Sequence, residues 1–248
     1  MFPNPHMRTP LLVLTVALAS LGAGSAALAA DSVRETRVAS GFSRIEIDGE
    51  ADVILRQGAS EGVTVEASAQ ALQQIDLGVH DRTLSITLND QRHWWDWIIG
   101  GGATRSPRIT IDFINLERIE AVGSVNFKAG TLKTNDLRLE LTGASTLRID
   151  DLQASRLRLE SAGAVKAELG GSVTAQFVDL SGASSYQAAG LVSESAALQV
   201  SGAGKALVNA SKSLKVEISG AGAVQYVGNP KLEQEISGVG KITRRDSP

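Results

Sequence analysis

The chain has 248 residues, 43% of them hydrophobic and 21% charged, with 24 Lys and Arg against 27 Asp and Glu for a formal net charge of −3. That slight acidity argues against nucleic acid as a partner, because no basic excess is available to neutralise phosphates. There is no cysteine, which excludes disulfides, an iron–sulfur centre and a cysteine-linked lipid anchor.

Residues 1–30 read as an export signal. Arg8 is the only charged residue before Asp31, an apolar run starts at Leu11, and small residues lead to Ala27-Leu28-Ala29, an A-x-A cleavage site. Met7-Arg8 serves equally well as a start. The competing reading is an uncleaved membrane anchor, since Leu11 to Ala30 is long enough to span; its small, weakly apolar second half favours cleavage. No integral span is expected after cleavage. The product is expected in the periplasm, at the outer membrane or in the medium.

From residue 38 to 242 a single all-β domain is predicted. Ile45-Glu46-Ile47-Asp48-Gly49 and Val53-Ile54-Leu55 read as two strands meeting at a corner. Thr64 to Ala67, Leu77 to Val79, Leu84 to Leu88 and Ile109 to Phe113 read as further short strands. Two to three coils of a solenoid fit here, interrupted by an insertion over about 89–107. The insertion carries His93-Trp94-Trp95-Asp96-Trp97 and the triglycine Gly100 to Gly102, and it holds all three tryptophans of the chain. Loops on a rigid scaffold are where binding residues usually sit, and clustered indoles suit sugar rings, an apolar partner surface or a membrane interface. Trp94, Trp95 and Trp97 are therefore the candidate binding residues. The structural alternative is that they pack as a cap over an open end of the solenoid, which such folds require.

Beyond the insertion the pattern becomes regular. A Ser/Thr-Gly-small signature recurs with its glycine at 123, 143, 163, 182, 202, 220 and 238, a period of 18 to 20 residues. Counted from each glycine, apolar residues occupy the fourth and second positions before it and the fourth and sixth after it. Examples are Leu139, Leu141, Leu147 and Ile149 around Gly143. The fifth position after it is mostly polar. Period-two alternation on both sides of a glycine means two strands meeting at a corner, with glycine supplying a positive φ or a close backbone approach. A repeat this short is too brief for packed helices, so it predicts a parallel β-helix of 18–20 residues per coil. The crossover rule makes it right-handed. Leu132 and Leu152 are expected to turn inward, while Gln234 and Arg244 break the inward columns and mark the C-terminal edge. Residues 243–248 form a short tail.

Two ladders run up the outer face. Glu120, Glu140, Glu160, Asp179, Gln199, Glu217 and Glu235 stand three residues before each glycine, and Arg118, Arg138, Arg158 and Lys215 stand five before. Stacked like charges are destabilising unless compensated, so the two columns read as diagonal ion pairs. The sharper alternative is a cation site near Asp179, where Phe177 replaces the basic residue; calcium loops normally gather several oxygen ligands, and none converge here. The corner hydroxyls of Thr142, Ser181, Ser201, Ser219 and Ser237 read as a ladder satisfying backbone groups. No Gly-x-Ser-x-Gly elbow accompanies them, and only His80 and His93 follow the signal. Gly202-Ala203-Gly204-Lys205 lacks the spacing and the following helix of a phosphate loop. No catalytic residue, metal ligand or cofactor is expected.

Ser201-Gly202-Ala203-Gly204, Ser219 to Gly222, Ser237-Gly238-Val239-Gly240 and the opening Phe42-Ser43-Arg44-Ile45-Glu46-Ile47-Asp48-Gly49 resemble the bacterial head GIN domain family, over about Val38 to Ile242. The resemblance implies an exported, envelope-associated right-handed β-helix described as an auto-transporter adhesin, its function largely unassigned. It supplies no catalytic residues. The chain lacks a β-barrel translocator, and its Trp-rich insertion maps to no family motif. The resulting expectation is a non-enzymatic surface protein that binds polysaccharide or an envelope protein. The alternatives are a polysaccharide-active β-helix enzyme, which needs convergent carboxylates or a metal, and a self-assembling envelope scaffold of undefined oligomeric state, which the edge arginines disfavour.

Overall fold

The computed structural model describes residues 32–89 and 106–246; the signal segment lies outside them. The described chain is almost entirely strand. Its first part contains β1 (Ser32–Arg37), β2 (Arg44–Gln57), β3 (Gly62–Ser68), the short helix α1 (Ala69–Gln73), β4 (Ile75–His80), β5 (Thr83–Leu88) and β6 (Arg108–Phe113). Then come β7 (Arg118–Lys133), β8 (Asp136–Gly143), β9 (Thr146–Gly163), β10 (Lys166–Gly182), β11 (Ser185–Gly202) and β12 (Lys205–Gly220). The last three are β13 (Ala223–Val227), β14 (Lys231–Gly238) and β15 (Lys241–Arg245).

From β7 onward each coil enters along one arm, turns at its glycine and leaves along a second arm. Every coil pairs in parallel with the next, glycine opposite glycine. The predicted parallel β-helix is therefore present. On the entering arm Leu84, Ile45, Ile119, Leu139, Leu159, Val178, Leu198 and Val216 form one column, each at most 3% exposed. On the leaving arm Ile109, Val53, Phe127, Leu147, Ala167, Tyr186, Ala206 and Val224 do the same. Leu132 and Leu152 are fully buried, as the pattern required. Burying such continuous columns supplies roughly 25 cal/mol for each Å² of apolar surface removed from water.

The corner is built on glycine for two reasons. Gly143 has a φ of +104°, and a Cβ placed on it would lie 2.3 Å from the carbonyl oxygen of Gly123 in the coil below. That oxygen accepts from Ala144 N at 2.8 Å, and the same bond recurs from Ala164 to Gly143 and from Ala221 to Gly202. The ladder thus continues around the bend. This corrects the expected role of the corner hydroxyls. The backbone groups are already satisfied, and Ser201 Oγ meets Ser219 Oγ at 3.3 Å instead. Leu207 also departs from the outward polar column, being only 8% exposed.

The N-terminal part departs more. Of the two to three coils expected, β2 makes one and β5 with β6, interrupted by the insertion, stack on its two arms as a second; a partly antiparallel cap flanks them. β5 lies parallel to the first arm of β2 and β6 to its second arm. β4 then pairs antiparallel with β5, while β3 pairs antiparallel with both β6 and β1. The cause is local: β4 and β5 are joined by only Asp81 and Arg82, both at positive φ (48° and 62°). A two-residue link between paired strands closes a hairpin, whereas a parallel return needs a crossover of a dozen or more residues. Val63, Val65, Leu72 and Ile75 from β3, α1 and β4 join the core at this end. At the other end β14 and β15 form the last layer, with Gln234 and Arg244 exposed and Ile236 41% exposed.

Candidate functional site

The tryptophan-bearing insertion arises at a corner. Thr87 of β5 pairs with Asp48 and Arg108 of β6 pairs with Asp52, so the chain between Leu88 and Arg108 replaces the turn that Gly49 makes in β2. Both legs are fixed. Asn89 N donates to Gln74 O at 3.0 Å, Asp52 N donates to Pro107 O at 2.9 Å, and Ser106 Oγ donates to Glu50 Oε1 at 2.7 Å. Leu88 Cβ sits against the Gly49 backbone so closely that a Cβ on the glycine would fall 2.8 Å away. Trp94, Trp95 and Trp97 themselves lie outside the described residues.

The second candidate region is the outer face of the entering arms. The predicted ion-pair ladder is present over three coils. Arg118 Nη2 reaches both Glu120 and Glu140 at 2.8 Å. Arg138 pairs with Glu140 and, at 3.1 Å, with Glu160, and Arg158 stands 4.0 Å from Glu160. Then the basic column lapses for two coils. The register continues Arg158, Phe177, Ala197, Lys215. Phe177 is 40% exposed, and the Arg158 guanidinium carbon lies 5.6 Å from its ring centre, within cation–π range.

Beyond Phe177 the next side chain is only the methyl of Ala197. The result is a shallow hollow of about 270 Å³ bordered by Phe177, Asp179, Gln199, Lys215 and Glu217. A larger hollow of about 610 Å³, reaching Asn135, Asp136 and Arg156, adjoins it at Arg158 and Phe177. Among the described residues the side chains of Asp179, Gln199, Lys215 and Glu217 form no hydrogen bond or ion pair. No three His, Asp or Glu side chains there converge as metal ligands. Sequence reading singles out Phe177 beside Asp179, but misses the hollow. The available signal is the coincidence of three lapses, at Phe177, Ala197 and Gln199, in columns otherwise charged.

On the leaving arms a shorter ladder joins β9 and β10. Lys166 Nζ lies 2.7 Å from Glu168, and Arg148 Nη1 lies 3.2 Å from it. The hydrogen bond from Lys166, reinforced by its charge and by Arg148, holds the Glu168 carboxyl below the usual carboxylate range. Asp136 is lowered in the same way by Arg156. These shifts have ordinary structural causes and single out no acid or base.

Among curated proteins none matches the chain in sequence. Among solved structures it resembles a putative adhesin from Bacteroides fragilis, with a TM-score of 0.76 and 22% identity over 87% of this chain and 97% of that one. A putative adhesin from Parabacteroides merdae has a TM-score of 0.65 and 15% identity, covering 87% and 96%. A putative lipid binding protein from Parabacteroides distasonis has a TM-score of 0.63 and 17% identity, covering 88% and 98%. At these identities the likeness is one of fold. Residues 41–230 match the family described as "Putative auto-transporter adhesin, head GIN domain", and with three-quarters of its length so matched the chain belongs to the head GIN domain family.

Proposed function

We propose that the protein is an exported, non-enzymatic adhesin of the cell envelope, which binds polysaccharide or another envelope protein through Trp94, Trp95 and Trp97. One observation carries this reading: the insertion leaves the end layer at a corner, with both legs paired to β2. Both ends of the insertion are thus held to a rigid scaffold, the setting in which binding loops usually sit. Capping, the competing role, is served at that end by β3, α1 and β4. Family membership and the adhesin names of two fold neighbours point the same way. No helix of the described residues is long and apolar enough to cross a membrane, and the regular salt-bridge ladders have the character of structural pairs rather than of a reaction centre.

The test is replacement of Trp94, Trp95 and Trp97 together by alanine. Retention on an envelope fraction or glycan array is expected to be lost, with thermal stability unchanged. A variant that melts earlier yet binds as before makes the tryptophans packing residues and ends the proposal.

A further inference from the structure

We propose that the hollow between Phe177 and Lys215 is a second binding site, built to take one neutral pyranose ring of a polysaccharide. It shares with the proposed function only the class of ligand and stands on separate residues.

Geometry comes first. Phe177, Ala197 and Lys215 are register neighbours on successive coils, so Phe177 and Lys215 are two strand spacings apart, about 9.6 Å. Ala197 fills the level between them with a methyl group alone. What is missing is one side-chain layer about 4.8 Å thick, the room a single flat ring occupies. Arg158 stands over the phenyl ring, and Phe177 also borders this gap.

Chemistry then selects the occupant. A pyranose with equatorial substituents has an apolar face of axial C–H groups, which suits the phenyl ring, and a rim of hydroxyls. Around the gap stand Asp179, Gln199 and Glu217 as acceptors and Gln199 and Lys215 as donors, none engaged within the described residues. In every coil from β7 to β9 the equivalent carboxylates are occupied by arginine. Here the two lapses of the basic column leave them facing the gap. Charge narrows the choice further. With Arg158 offset by Glu160, the remaining Asp179 and Glu217 outweigh Lys215 by one negative charge. A uronate would be repelled, while a neutral sugar satisfies all four groups. The adjoining hollow along Arg158 and Asn135 gives a chain of sugars somewhere to continue.

The experiment titrates the full chain with cellotetraose and, separately, with a glucuronate tetramer of the same linkage, following backbone amide and side-chain NMR shifts. Cellotetraose is expected to shift Phe177, Gln199 and Lys215 saturably, and the uronate to bind at least tenfold more weakly. Phe177→Ala should weaken binding tenfold or more, while Phe177→Trp keeps it. The decisive variant is Ala197→Arg, which restores the side chain that the ladder lacks at this level. It should abolish the shifts with the melting temperature kept or raised. Replacing the three tryptophans should leave the shifts in place, so failure here and failure of the loop proposal are told apart. Absence of localised shifts with cellotetraose, or shifts that survive Ala197→Arg, overturns the inference.

Discussion

At Gly163 two demands fall on one residue. Its φ is +115°, and an added Cβ would lie 2.4 Å from the carbonyl oxygen of Gly143, with backbone rather than a flexible side chain in the way. Gly163→Ala is therefore expected to cost at least about 2–3 kcal/mol, the strain of the backbone region plus displacement of the neighbouring coil. Denaturant unfolding measures it; a loss under about 1 kcal/mol would mean that the corner relaxes freely. A different economy operates at Tyr186. It is fully buried, burial pushes its phenol far above the ordinary range, and its hydroxyl donates to Gln176 Oε1 at 2.8 Å. Gln176 Nε2 donates in turn to Ser193 Oγ at 2.8 Å, and Ser193 Oγ to Asn209 O at 2.6 Å. Tyr186→Phe should cost about 1–3 kcal/mol by stranding the amide oxygen. Adding Gln176→Leu, the residue that Leu157 supplies in the same column, should recover part of that. Strict additivity in the double variant would refute the coupling.

At the level of the strand, the ladders are what titrates. The folded-state carboxyl of Glu168 is held below its unfolded value, so its pairing contributes stability that is fully present above the ordinary carboxylate range and is lost as pH falls from there through the lowered folded-state value. Lys166→Met should move the Glu168 titration upward in an NMR carboxyl experiment. It should also lower the melting temperature slightly near pH 7, with the difference fading as pH falls below the ordinary carboxylate range. An unchanged Glu168 titration would exclude Lys166 as the cause. The same scale shows why some elements were legible and others not. The coils were plain because glycine and the inward apolar positions keep step with one another from Gly123 to Gly238. The existence of β3 to β6 was plain too, from alternation alone, but not their direction. The hairpin between β4 and β5 lacks the Asn-Gly that usually announces such a turn. Its Arg82 is held at positive φ while Nη2 donates to Ser43 Oγ at 2.9 Å and to Glu117 Oε1 at 3.3 Å, contacts that no local pattern encodes. The hollow at Phe177 was half visible, since its position depends on aligning four coils whose glycines are 19, 20 and 18 residues apart.

Across the molecule, sequence order and spatial order part company at one place. β2 lies between β5 and β6 on one side and β7 on the other, though all three follow it in the chain. A nascent polypeptide emerging amino end first thus displays β2 with both of its edges bare. The longest closure, Ile45 onto Ile119, carries the largest loop entropy in the β-helix. Every later winding joins a finished edge made by residues only some twenty positions earlier, the kind of near-neighbour addition that proceeds quickly. The slow, aggregation-exposed interval of assembly therefore belongs to the amino-terminal half, and it ends when Arg118 to Lys133 arrives.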